Sequence, residues 1–84
     1  MKKPVKCSEA QREVIIALAE VDYSPEEISH FCRRLRVSAR LAAAVITEYV
    51  LARRILEKGA NRNRIYEIED MSPGQIVKLA HKEK

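Results

Sequence analysis

Three Ser-x-x-Glu/Gln signatures mark the starts of helices and constrain this chain more than any other feature. They are Ser8 with Gln11, Ser24 with Glu27, and Ser72 with Gln75. In such a capping box the serine hydroxyl accepts a hydrogen bond from an amide of the first turn, while the Glu or Gln side chain reaches back to the serine amide. A proline follows the second and third serines, at the first helical position, where its missing N–H costs nothing. The sequence therefore predicts a mostly helical chain.

The spacing of apolar residues predicts how far each helix extends. The predicted helices cover residues 8–21, 25–35, 39–58 and 73–81, with Ser38 as the N-cap of the third and Gly59 just past its end. Helix one is expected to bury Val14, Ile15, Leu18 and Val21, and helix two Ile28, Phe31, Cys32 and Leu35. The third helix carries apolar residues on more than one face, which indicates either a central helix or contact with another subunit.

The remaining segments are less regular. Residues 59–64 read as a polar basic loop, and residues 65–70 fit either a short strand or an extended connector, with the extended form favoured. Residues 82–84 are expected to fray. A chain of 84 residues fits one small domain. We expect an all-α bundle of about four helices with a trihelical core, in the single domain 1–84.

Positive charge is concentrated in the middle of the chain. The net charge is +4 overall, yet residues 33–64 hold nine basic and two acidic side chains, a local charge of +7. The basic side chains are Arg33, Arg34, Arg36, Arg40, Arg53, Arg54, Lys58, Arg62 and Arg64. Charge runs often only solvate a helix face, but solvation does not require the two signs to be segregated. Because arginine forms bidentate contacts with phosphates and carboxylates, a polyanionic partner is predicted.

The centre of this basic segment has a recognisable spacing of apolar and small residues. They are Phe31, Cys32, Leu35, Val37, Ala42 and Val45, with Ser38 opening the helix after the turn. This segment of about 20 residues resembles the helix-turn-helix of bacterial and phage DNA-binding proteins. The turn position usually held by glycine, because φ is positive there, is Arg36; keeping that geometry strains the backbone by about 1 kcal/mol.

The resemblance implies that residues 39–47 begin a recognition helix. Ser38, Arg40, Ala43, Ala44 and Thr47 would then face the major groove. Arg40 is the side chain suited to a bidentate contact with guanine. Arg33, Arg34 and Arg36 would flank the groove, and Arg53, Arg54, Lys58, Arg62 and Arg64 would contact backbone phosphates. The expected function is a small DNA-binding regulator of transcription or of a mobile element, acting as a homodimer sealed by Leu51 and Ile55.

A second interpretation fits the same residues. The alanines Ala42, Ala43 and Ala44 also allow another helix to approach closely, so the chain is alternatively a helical adaptor or oligomerisation module whose basic surface binds an acidic protein. RNA binding is a third alternative.

Other classes of function find no support in the sequence. No spacing of Ser, His and Asp indicates nucleophilic catalysis, no Gly-rich phosphate loop is present, and neither an enzyme nor a cofactor is predicted. Cys7, His30, Cys32 and His81 do not have the spacing of a zinc site, so no metal is expected. The positive amino terminus lacks an apolar stretch after it, and the cysteines are not paired by spacing. We therefore expect a cytoplasmic protein with no membrane contact.

Overall fold

The computed structural model describes residues 5–83, which form five α-helices and one 3₁₀ helix without a β-strand. The helices are α1 (Glu9–Glu20), α2 (Pro25–Phe31), α3 (Ala39–Glu57), α4 (Arg62–Glu69) and α5 (Pro73–Glu83), and the 3₁₀ helix (Arg33–Leu35) follows α2. The expected all-α fold is confirmed. Met1 to Pro4, where the positive amino terminus was noted, and Lys84, the last residue expected to fray, lie outside the described residues.

All three capping boxes form. The amide of Gln11 donates to Ser8 Oγ at 3.1 Å, that of Glu27 to Ser24 Oγ at 3.2 Å, and that of Gln75 to Ser72 Oγ at 3.3 Å. In each box the serine amide donates back to the Gln or Glu side chain. The helix starts were therefore predictable from local chemistry alone.

The predictions of a loop over residues 59–64 and of an extended segment over residues 65–70 are both wrong in part, because residues 62–69 form α4. Asn61 caps α4 by accepting a 2.8 Å hydrogen bond from the amide of Arg64, a start signal that a polar loop conceals. Ile65 and Ile68 lie three residues apart on the side of α4 that faces the protein, and Ile68 is fully buried. Residues 82 and 83 also continue α5 rather than fraying.

Two expected core residues are exposed. α1 ends at Glu20, so Val21 lies past the last turn and helical spacing no longer sets its direction. α2 ends at Phe31, four residues before the predicted end, and the chain tightens into the 3₁₀ helix. Phe31 is 61% exposed and packs edge-on against Tyr23, with ring centroids 5.2 Å apart.

The core consists of two apolar clusters joined along α3. The first cluster, from α1, α2 and the first half of α3, is centred on Ile15, Ile28 and Val45. The second, from the second half of α3 with α4 and α5, is centred on Leu56, Ile68 and Ile76. Tyr49 touches both clusters. α3 is thus the central helix that the sequence allowed.

A buried ion pair joins α1 to α3. Arg12 and Glu48 are only 8% and 6% exposed, and Arg12 Nη2 donates to Glu48 Oε1 at 2.8 Å. The other carboxylate oxygen of Glu48 accepts a 2.7 Å hydrogen bond from the amide of Val5. Arg12 also donates to the carbonyl of Val5 at 3.3 Å. The pair therefore fixes the segment before α1 to both α1 and α3, a role that the spacing of two charged residues does not reveal.

Candidate nucleic-acid interface

The turn between α2 and α3 is held in shape by side chains from two directions. The Ser29 hydroxyl donates to the carbonyl of Val37 at 2.8 Å, and the side-chain Nε2 of Gln11 donates to the carbonyl of Leu35 at 2.6 Å. Val37 is buried in the first cluster and anchors the chain just before α3 begins. The turn is therefore fixed by α1 and α2 as well as by its own backbone.

Arg36 has the left-handed conformation that the helix-turn-helix resemblance required. Its φ is 57° and its ψ is 39°, and its amide donates to the carbonyl of Arg33 at 3.0 Å. A non-glycine residue pays about 1 kcal/mol or more for this conformation. Ser38 then caps α3, because its Oγ accepts a 3.0 Å hydrogen bond from the amide of Leu41.

Four arginines project from this turn and from the first turn of α3. Arg33, Arg34, Arg36 and Arg40 are all exposed, and we call them the arginine corner. Within residues 5–83, no carboxylate lies within ion-pair distance of any of the four. Four cations within eight residues and without an internal partner create a positive surface suited to an external anion.

Two of the other predicted phosphate contacts are already engaged inside the chain. Arg53 Nε donates to Glu57 at 2.8 Å, and the Arg53 guanidinium also donates to the Tyr49 hydroxyl at 3.4 Å. Partial burial disfavours the charged form of Arg53, but Tyr49 and Glu57 outweigh it and hold its pKa above the ordinary value. Arg64 contacts Glu83 at 2.6 Å and Glu67 at 3.5 Å.

The last three basic residues lie at the far end of α3 or beyond it. Arg54, Lys58 and Arg62 are exposed. Arg54 follows Arg40 by fourteen helical residues, which places their Cα atoms about 21 Å apart along the axis. The nine basic side chains therefore form an arginine corner, a separate distal group and two internally paired residues.

The face of α3 that is expected to contact the major groove is only partly exposed. Arg40, Ala43 and Thr47 are exposed, whereas Ala44 is half-buried. Ala43 and Thr47 border a groove of about 390 Å³ whose other wall is the α1–α2 turn, including Asp22 and Tyr23. The Asp22 carboxylate on that wall makes this groove less positive than the arginine corner.

The two residues expected at a dimer interface differ in exposure. Leu51 is 44% exposed, while Ile55 is half-buried against the second cluster. Val50, which the sequence did not single out for this role, is 40% exposed beside Leu51. The uncovered apolar surface of α3 is therefore Val50 with Leu51.

The two cysteines are free thiols. Cys32 is buried, Cys7 is half-buried, and the two are not joined. Burial raises the pKa of the Cys7 thiol; Arg12 opposes this shift, and Glu48 and Glu9 add to it. Within residues 5–83, no three His, Cys, Asp or Glu side chains are grouped as a metal site would require. Over the same residues, no helix has both the length and the apolar character needed to cross a membrane.

Comparison of the chain with family models, with curated proteins and with solved structures found no match. The functional inference therefore rests on the arrangement of the arginines.

Proposed function

We propose that this chain is a small DNA-binding protein that contacts the phosphate backbone through the arginine corner. The supporting observation is that Arg33, Arg34, Arg36 and Arg40 are exposed and lack carboxylate partners within residues 5–83, on a turn fixed by side-chain hydrogen bonds. A fixed turn lowers the entropy that binding must overcome, because the backbone that carries the arginines is already ordered. Regulation of transcription or of a mobile element is a role compatible with such contacts.

The residues at the corner favour affinity over sequence readout. Arginine forks bind phosphate oxygens regardless of sequence, and phosphate contacts position a protein without specifying bases. Ser38 already uses its hydroxyl oxygen to cap α3. Arg40 is the corner residue on α3 itself, so it is the side chain we assign to a guanine edge. We leave Arg53 and Arg64 out of the contact set because each is paired within the chain.

The proposal is tested by titrating the protein with random duplex DNA over a range of salt concentrations. If Arg33, Arg34 and Arg36 each neutralise one phosphate, log K falls with log salt with a slope of about −2.7, from about −0.9 for each contact. Reversing two corner charges in Arg34→Glu/Arg40→Glu is expected to lower the affinity at least tenfold and to make the slope shallower. The matched control is Lys78→Glu/Lys82→Glu, which changes the net charge equally on the exposed side of α5.

Three outcomes count against the proposal. No binding at about 50 mM salt overturns it, because low salt favours any phosphate contact. Equal losses in the corner variant and the control show that net charge alone drives binding. Tighter binding to single-stranded RNA than to duplex DNA shows that the corner serves the RNA alternative.

A specific observation also favours protein contacts. Val50 and Leu51 remain exposed in the middle of α3, ten and eleven residues after Arg40. This apolar surface suits a protein partner better than a phosphate backbone.

A further inference from the structure

One face of α3 is uncovered along almost its full length. Its members recur at helical spacing and are all exposed: Arg40, Ala43, Thr47, Val50, Leu51, Arg54 and Lys58. We call this face the α3 stripe. It extends about 27 Å, is apolar in its middle and basic at both ends, and none of its members is acidic. A surface that covers it must therefore offer apolar contact flanked by negative charge.

A groove of the opposite character lies between α1 and the turn that joins α4 to α5. Its volume is about 290 Å³. Its accessible apolar lining comes from the exposed Ala17 and the half-buried Met71 and Pro73, whereas Ile16 and Ile68 border it but are buried. Glu13, Glu20 and Glu69 also line it, and all three are exposed. We call it the acidic groove. The Arg53 side chain borders it too, but its Nε is bonded to Glu57.

The stripe and the groove cannot meet within one molecule. Val45, Ala52 and Leu56 occupy the buried side of α3, opposite the stripe. α3 borders the groove through Tyr49 and Arg53, which lie more than 100° around the helix from the centre of the stripe at 100° per residue. A contact between stripe and groove therefore joins two molecules.

We propose that the α3 stripe of one copy of this chain binds in the acidic groove of a second copy. Val50 and Leu51 pack on Ala17 and Met71, and the distal cations Arg54 and Lys58 lie beside the groove's carboxylates. The occupant is chosen by complementarity, because the three carboxylates of the groove are opposite in charge to the cations of the stripe, and Ala17 and Met71 offer apolar contact beside them. Because the two surfaces lie on different sides of the molecule, the contact is head-to-tail and repeats from copy to copy.

A symmetric pairing of two stripes is less favourable. It places Arg40, Arg54 and Lys58 of both copies along one seam without a carboxylate between them, and such like-charge contacts are destabilising. The head-to-tail contact replaces this repulsion with attraction. It also leaves Arg33, Arg34 and Arg36 uncovered, so Arg40 is the one residue that the stripe shares with the arginine corner, and self-association does not depend on the proposed DNA contact.

Sedimentation velocity without DNA tests the proposal, with two charge-reversed variants. Arg54→Glu/Lys58→Glu alters the stripe, and Glu13→Arg/Glu20→Arg alters the groove. Wild type is expected to associate as its concentration rises from tens to hundreds of micromolar, and each variant alone to associate at least tenfold more weakly. An equimolar mixture of the two variants is expected to regain association, since the reversed stripe of one meets the reversed groove of the other.

The control Lys78→Glu/Lys82→Glu carries the same charge change as the stripe variant and is expected to associate like wild type. Far-UV circular dichroism verifies that each variant remains helical. A wild-type chain that stays monomeric at hundreds of micromolar overturns the proposal. So does a groove variant that associates normally, which shows a symmetric contact between stripes, or a mixture that stays monomeric, which points to an acidic partner other than this chain. None of these results bears on the DNA titration.

Discussion

The two ends of α3 are held by different kinds of core. At its amino-terminal half, the buried ion pair of Arg12 and Glu48 lies beside the apolar contacts, and side-chain hydrogen bonds to Val37 and Leu35 fix the turn before the helix. At its carboxyl-terminal half, the second cluster is built from aliphatic side chains such as Leu56, Ile68 and Ile76. Polar contacts are directional and apolar contacts are not. The difference indicates that the backbone geometry is more strictly fixed at the amino-terminal end of α3, where the arginine corner lies, than at its carboxyl-terminal end.

The largest expected effect comes from removing one partner of the ion pair. Glu48→Ala leaves Arg12 charged and buried and deprives the Val5 amide of its acceptor. We expect the free energy of unfolding to fall by about 3–5 kcal/mol, the range for breaking a buried pair. Leu56→Ala, eight residues along the same buried side of α3, is expected to cost about 2–5 kcal/mol through lost apolar contact and a cavity. Urea denaturation measures both.

A rescue variant separates the two kinds of core. Arg12→Met/Glu48→Leu replaces both charges with apolar side chains, and we expect it to recover most of the stability lost in Glu48→Ala. Its expected defect is a looser segment before α1, visible as faster amide hydrogen exchange at Val5. If Glu48→Ala lowers the free energy of unfolding by less than about 1 kcal/mol, the proposed difference between the two ends of α3 is wrong. Water would then replace the ion pair with little loss of stability.

The sequence predicted where helices begin better than it predicted which residues make buried contacts. Serine caps mark helix starts through neighbours only three residues away, so Ser8, Ser24 and Ser72 were readable without the fold. Arg12 and Glu48 are 36 residues apart, and nothing in either local pattern shows that they meet. Phe31 was misplaced for a related reason: its burial depends on where α2 ends and what lies beside it.

The basic residues could be located from the sequence, but their division into an arginine corner, a distal group and two internally paired residues could not. Composition along the chain located nine basic residues, but whether each one is available depends on distant partners such as Glu83 for Arg64. The groove that complements the stripe is assembled from α1, α3 and the turn between α4 and α5, so no single stretch of sequence contains it.

A smaller effect is expected at the strained turn. Arg36→Gly removes the penalty of a left-handed conformation at φ 57°, and we expect the free energy of unfolding to rise by up to about 1 kcal/mol, reduced by the greater chain entropy of glycine. The same variant loses one arginine of the corner, so DNA binding weakens and the salt slope falls by about 0.9. Thermal unfolding and DNA titration of one sample measure both changes.

The matched control for this turn is Asp22→Gly in the α1–α2 turn, where φ is 68°. Aspartate tolerates the left-handed region better than arginine, so the gain in stability is expected to be smaller. DNA affinity should not fall, because a negative charge is lost. If Arg36→Gly reduces stability and affinity together, the turn depends on the Arg36 side chain for its shape, and Arg36 cannot be assigned to phosphate contact.

The smallest expected effect is a difference in how the capping boxes of α2 and α5 respond to low pH. The box of α2 contains a carboxylate, Glu27, while the box of α5 contains the neutral Gln75. Hydrogen bonds from the Ser24 backbone amide and then from its hydroxyl hold the pKa of Glu27 below its ordinary value of 4.5. Ionised Glu27 therefore stabilises the folded state above that pH, and this contribution is lost as the pH falls through the lowered pKa.

Exchanging the two residues is expected to exchange the response. Glu27→Gln should flatten the decline of stability below pH 4.5 relative to wild type, and Gln75→Glu should steepen it, because a carboxylate at the start of α5 meets the same serine geometry and the positive end of the helix dipole. Thermal unfolding over a pH series measures the two profiles. If Glu27→Gln leaves the loss of stability at low pH unchanged, other carboxylates cause that loss. The two capping boxes would then respond to acid in the same way despite their different chemistry.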